Sequence, residues 1–207
     1  MTLVRQGGTE HEEKGVGQIR LRRAVVGCHG HSKCANGQDL RWCGADRRPD
    51  RRRESDRVGA GDELPVFETA VGPVGVSVCS DLRFPEVYRE LALKGAQVIV
   101  CASAFLSPRL DHWEFFLRAR ATENQCWVVA SGQVGVEPKS GTAFVGRSMV
   151  VDPWGVIVAT APDTECCITV DIDLDHIDEV KRRYPLMDQR RPELYGNIGR
   201  AKAKALG

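Results

Sequence analysis

Residues 96–102, Ala-Gln-Val-Ile-Val-Cys-Ala, form a near-continuous apolar run of strand length, and this run constrains the fold more than any other stretch. A strand that is apolar on both faces belongs inside a largely parallel sheet covered on each side. A second run of the same kind occupies 126–131. Parallel neighbours need a crossover, and residues 109–125 supply one: Trp113, Phe116, Leu117 and Ala121 fall on one apolar stripe at helical spacing. Upstream, strands are expected at 64–70 and 74–79 with a Gly72-Pro73 turn between them, then a helix at 85–94 that starts at Pro85 and stops at Gly95. Downstream, 149–152 and 156–159 flank Pro153-Trp154-Gly155 as a hairpin, 166–172 returns as a strand, and Asp173 or Asp175 caps a short helix to about Arg183. Strands alternating with helices indicate an α/β architecture.

This order stops abruptly on the N-terminal side. The 207 residues carry a net charge of only +1, and their length suggests one domain, but the charge is unevenly placed. Residues 1–57 hold 13 Lys/Arg against 8 Asp/Glu, a balance of +5, and the remainder 16 against 20, a balance of −4. The first segment is rich in Arg and Gly, shows no strand–helix alternation, and has one short apolar run, Ala24-Val-Val-Gly-Cys28. So little apolar surface does not offset the entropy of ordering, and residues 1–53 are expected to be disordered, with 54–207 forming the folded part. Out-of-frame translation returning to frame near Arg53, a replaced N-terminus, and a genuine basic arm all fit; we favour the first, because order resumes so sharply at Glu54.

Within the ordered part, Cys79 ends the strand run Val74-Gly-Val-Ser-Val-Cys79, and a Pro-led helix follows within six residues. Chemistry in open α/β sheets gathers at such strand ends, and a thiolate is a strong nucleophile near neutral pH. Most cysteines outside disulfides are simply small buried hydrophobes, and the local sequence alone favours that plainer role. The neighbours alter the balance. Cys-Ser-Asp-Leu-Arg-Phe-Pro-Glu at 79–86 resembles the nucleophile motif of the nitrilase superfamily, the carbon–nitrogen hydrolases. Gly61-Asp-Glu-Leu-Pro-Val-Phe67 is similar to the lead-in to the nucleophile strand. Ala104-Phe105, His112-Trp113-Glu114 and Arg118-Ala-Arg-Ala-Thr-Glu-Asn-Gln125 are similar to the next strand end and helix. Gly146-Arg-Ser-Met-Val-Val-Asp-Pro-Trp-Gly155 and Arg190-Arg-Pro-Glu-Leu-Tyr195 resemble the late hairpin and tail. Motifs in the right order over residues 54–196 are far more specific than one short pattern. Within the family they look most like the omega-amidase and deaminated-glutathione-amidase branch.

The resemblance implies a four-layer α-β-β-α sandwich, here incomplete at its N-terminus, with an inner face left partly uncovered. Aggregation or dependence on association is then expected, and a homodimer is the expected assembly. It also implies a cysteine amidase acting on a small carboxylic-acid amide, with a Glu base, an oxyanion-binding Lys and the Cys nucleophile. Cys79 takes the nucleophile position. Glu54, in Arg53-Glu-Ser-Asp-Arg-Val58, matches a second acidic residue of the family in spacing and context; one solvated acid in a charged loop is its plainer role. Ser80 offers its N–H to the oxyanion by following the nucleophile. Arg83 matches a position that holds a substrate carboxylate, with an ion pair to Glu86 or Asp81 as its plainer role. Phe105 matches a pocket wall and is otherwise core. The family's base and lysine motifs are missing: Lys14 and Lys33 lack the flanking residues, and no role passes to them. The alternative function is therefore an inactive fragment or pseudoenzyme.

Other features carry less. Cys28-His-Gly-His-Ser-Lys-Cys34 with Cys43 gathers zinc-type ligands, but its spacing fits no standard knuckle pair, so no metal and no cofactor is expected. The Arg run at 47–53 lacks interleaved aromatics, and no nucleic-acid partner is expected. His112 reads as structural, Arg120 and Glu123 as a local pair, and Cys101, Cys126, Cys166 and Cys167 as core, the last two on opposite faces of a strand. With no apolar membrane span, no signal peptide and no regular disulfide spacing, a cytoplasmic protein with no membrane partner is expected, which also disfavours the family's membrane-bound acyltransferase branch, while the resemblance implies a small-molecule amide as substrate.

Overall fold

The computed structural model describes residues 2–4, 21–28, 61–138 and 140–195. In chain order its strands are β1 (Thr2–Val4), β2 (Leu21–Cys28), β3 (Val66–Thr69), β4 (Gly72–Val78), β5 (Val98–Ser103), β6 (Trp127–Gly132), β7 (Met149–Val151), β8 (Ile157–Thr160) and β9 (Cys166–Asp173). The helices are α1 (Pro85–Leu93), α2 (Leu110–Asn124), α3 (Asp175–Arg183) and α4 (Pro192–Tyr195). A six-stranded sheet has the order β3-β4-β5-β6-β7-β8, and a three-stranded sheet the order β1-β2-β9. β4, β5 and β6 run parallel, joined by the α1 and α2 crossovers, and the outer pairings are antiparallel.

The apolar runs form strands because each face meets a different layer. Ile99, Cys101, Val128 and Ala130 point to the helix side and pack with Leu91, Trp113, Leu117 and Ala121. Val98, Trp127, Val129 and Val150 point the other way, against Ile168, Val170 and Ile172 of β9. Full burial of each large side chain contributes roughly 1.5–3 kcal/mol. Helix, sheet and sheet make three layers of the expected sandwich among the described residues, and the centre of the inner face is covered rather than bare.

Three other expectations change. Composition leads one to expect disorder in residues 1–53, yet β1 and β2 lie there: β2 takes in the apolar run and pairs antiparallel along β9 from Leu21↔Asp173 to Cys28↔Cys166. A weak strand former is held by a long partner, which the segment's own composition does not reveal. The first hairpin turns at Ala70–Val71, so Gly72 and Pro73 are strand residues opposite Thr69 and Glu68. Thr69 closes this turn by accepting the Val71 N–H and donating to the Gly72 carbonyl. Cys101 and Cys126 are core, but Cys166 is half-buried and Cys167 exposed, because β9 alternates between an inner and an outer face. Glu54, the Arg run and the side chains of the Cys/His cluster lie outside the described residues.

Candidate active site

Cys79 stands where β4 ends, and it opens a 3₁₀ turn, Cys79–Arg83, that leads through Phe84 into α1. Its φ is +49°, a left-handed conformation that non-glycine residues rarely adopt. A reactive side chain on a sharp strand-to-helix turn is lifted away from the sheet instead of packing along it. The thiol is half-exposed rather than sealed in the core.

The turn is fastened from several sides. Asp81, 3 % exposed, accepts the Val78 N–H through Oδ2 at 3.0 Å, and its own carbonyl accepts the Phe84 N–H at 3.0 Å. Behind the end of β4, Ser77 Oγ and Tyr88 Oη share a 2.6 Å hydrogen bond in the core, and Ser77 Oγ also donates to the Val100 carbonyl. Burial raises the Tyr88 phenol well above its ordinary value and Cys101 to about 11, so both stay protonated behind the site.

Arg83 extends from the end of the turn, its guanidinium carbon 4.6 Å from the Phe105 ring centroid and 5.9 Å from that of Phe116. Desolvation lowers its pKa from the usual arginine value, the nearby Cys79 raises it, and Arg109 lowers it. Phe105 is 2 % exposed, lies 5.3 Å from Trp113 between ring centroids, and accepts the Val145 N–H at its carbonyl. Trp113 in turn donates through Nε1 to the Arg147 carbonyl at 2.8 Å. The structure therefore gathers Cys79, Ser80, Arg83 and Phe105 at one end of the parallel strands. Cavities of about 710 Å³ around Leu64 and Lys94, and about 760 Å³ around Asp175 and Lys181, lie apart from them. No cluster of His, Cys, Asp and Glu suited to a metal occurs among the described residues, and no helix there is long and apolar enough to cross a membrane.

The local pair expected of Arg120 and Glu123 forms at 2.9 Å, but its setting differs from expectation. Arg120 is 5 % exposed, and its Nε donates to the Leu82 carbonyl inside the nucleophile turn at 3.1 Å. A signal for this was available: Arg120 follows Trp113 by seven residues and so falls on the buried stripe of α2 with Leu117, Ala121 and Asn124. His112 instead faces outward beside Asp111 and the edge of Phe116.

Residues 10–182 match the family model described as carbon-nitrogen hydrolase, a span that begins well ahead of Glu54. The deaminated glutathione amidase of Homo sapiens is 44% identical over 146 residues, covering 70% of this chain and 44% of that protein. An omega-amidase of Xenopus tropicalis is 39% identical over 146 residues, covering 70% and 52%. The crystal structure of the C. elegans NitFhit protein superposes with a TM-score of 0.68 at 40% identity, covering 75% of this chain and 39% of that one. The chain spans about half the length of the curated relatives it matches.

Proposed function

The chain belongs to the carbon–nitrogen hydrolase family, and on that premise we propose that it is an amidase releasing ammonia from the amide of a small carboxylic acid through a thioester on Cys79. The observation that supports this best is the left-handed turn at the end of β4, which lifts a half-exposed thiol out of the sheet near Arg83, whose guanidinium lies over the Phe105 ring. The thiolate attacks the amide carbonyl carbon, and the oxyanion that forms is received by the Ser80 N–H. The carbon–nitrogen bond breaks as the nitrogen takes up a proton and leaves as ammonia. Water then cleaves the thioester, which returns the thiol and releases the carboxylic acid. Arg83 is suited to grip a second carboxylate on the substrate with its planar fork, while Phe105 and Phe116 back the guanidinium. Glu54 is assigned an acidic supporting role by its match to the family pattern.

A second reading, an inactive member, is favoured by one observation: no residue ahead of Glu54 carries the flanking pattern of the family's base or lysine. Losing a general base alone removes on the order of 10²–10⁴ in rate. Ammonia release from succinamate and glutaramate, with Cys79→Ala as the control, decides between the two. Release above the control supports the amidase; release equal to it overturns the amidase in favour of the inactive member. A reducing compartment suits a working thiol, and the exposed Phe115 and Trp154 offer a face for the homodimer that belongs to the same proposal.

A further inference from the structure

A left-handed non-glycine residue persists only where its surroundings over-determine it. Cys79 is such a residue, and the fastening on either side of it is unequal in origin. Ahead of it, Asp81 holds the Val78 N–H from within the same turn. Behind it, the Leu82 carbonyl receives its hydrogen bond from Arg120, 38 residues on and in another helix. Leu82 is 0 % exposed, so water does not replace that donor.

We propose that Arg120 is the positioning residue of the nucleophile: by holding the Leu82 carbonyl it fixes the turn that presents the Cys79 thiol. Its guanidinium is itself immobilised. Glu123 binds Nη1 at 2.9 Å, and the rings of Phe116 and Tyr88 lie 5.5 Å and 5.8 Å from its central carbon. Tyr88 is the residue that grips Ser77, two positions before Cys79, so one buried cluster fastens both the strand and the turn. Stability alone accounts poorly for this arrangement, since a buried charge such as Arg120, paired with the half-buried Glu123, can often be exchanged for apolar side chains without loss. A donor at a fixed place is what the apolar exchange would not restore.

The inference rests on Cys79 being the reacting thiol, and its test is independent of turnover. Iodoacetamide alkylation of the full chain is followed residue by residue by peptide mass spectrometry, as a function of pH, for the parent, Arg120→Met and Arg120→Lys. The expected result is a high-pH plateau rate at Cys79 reduced about tenfold in Arg120→Met and about threefold in Arg120→Lys, by analogy with the rate cost of a misplaced reacting group. Exposed Cys167 serves as the internal standard and keeps its rate, and buried Cys101 and Cys126 stay unlabelled. Either variant, folded by its thermal transition, reacting at Cys79 at the parent rate overturns the proposal. Labelling of Cys101 and Cys126 together with a slowed Cys79 also overturns it, because general loosening is then the cause. A loss that appears solely as a shifted pH midpoint does so too, since charge and not position is then at work. Should Arg120→Met fail to fold, Arg120→Lys decides. Absent ammonia release with this alkylation pattern intact would sink the amidase and leave the brace standing.

Discussion

Gly132 ends β6 beside Ser103, and a methyl group there would sit 2.0 Å from the Gly146 carbonyl oxygen. The obstacle is backbone, so no side chain can swing aside. Ordinary contact begins at 3.4 Å, and Gly132→Ala therefore requires a displacement of about 1.4 Å in the Val145–Arg147 segment. That segment is pinned: Gly146 N–H donates to the Gln133 carbonyl, Val145 N–H to the Phe105 carbonyl, and the Gly132 N–H itself to Ser148 Oγ, each at 2.9 Å. Overpacking costs about 1–3 kcal/mol, and one broken buried hydrogen bond adds about 1 kcal/mol. The sum, about 2–4 kcal/mol, lowers the melting temperature by roughly 5–15 °C for a chain of this size. Differential scanning calorimetry of Gly132→Ala against the parent measures it. Because Phe105 shares the strained segment, alkylation of Cys79 should slow as well. A melting temperature within about 2 °C of the parent would show that the segment yields freely and refute the reasoning.

The buried thiols make stability depend on alkaline pH. Burial raises Cys101 to about 11 and Cys126 to about 12 from the ordinary 9.0. The folded protein thus holds protons that the unfolded chain releases, and this contribution is complete below pH 9 and lost as pH climbs towards 11–12. Each thiol steepens the loss by about 1.4 kcal/mol per pH unit above pH 9; urea midpoints from pH 8 to 10.5 should fall, and Cys126→Ala should flatten the slope. Asp81→Ala removes the acceptor of the Val78 N–H and should destabilise the chain by about 1–3 kcal/mol, read from the urea midpoint; an unchanged midpoint would count against the pinned turn. Leu117→Ala, at 0 % exposure between α2 and the sheet, should lose about 2–5 kcal/mol in the same assay. If the chain is active, Arg83→Gln should raise KM for succinamate roughly 10- to 100-fold with a smaller change in kcat, the loss expected of a charge-assisted contact. A change confined to kcat would remove Arg83 from carboxylate binding.

What could be learned from the residues alone follows from how local each signal is. Continuous apolar runs marked β5 and β6, the stripe through Trp113 and Leu117 marked α2, and Pro85 with Gly95 marked α1 to within a residue or two. These are properties of a dozen neighbouring residues, because burial of a strand or a helix face imposes a short period on the chain. Cys79 at a strand end before a Pro-led helix was legible for the same reason, as was the ordered set of motifs. Other features required the tertiary structure. The strand at Leu21–Cys28 exists through its register with β9, whose paired residues lie 138 positions further on at Cys28↔Cys166 and 152 further on at Leu21↔Asp173. The exposure of Cys167, the inward turn of Asp81 and the union of Arg120 with the Leu82 carbonyl are likewise decided by what lies across the interface. Periodicity tells which face is buried; which polar atom meets another inside that face is settled by packing between distant elements, and at Cys79 that packing sets the backbone angle on which the chemistry depends.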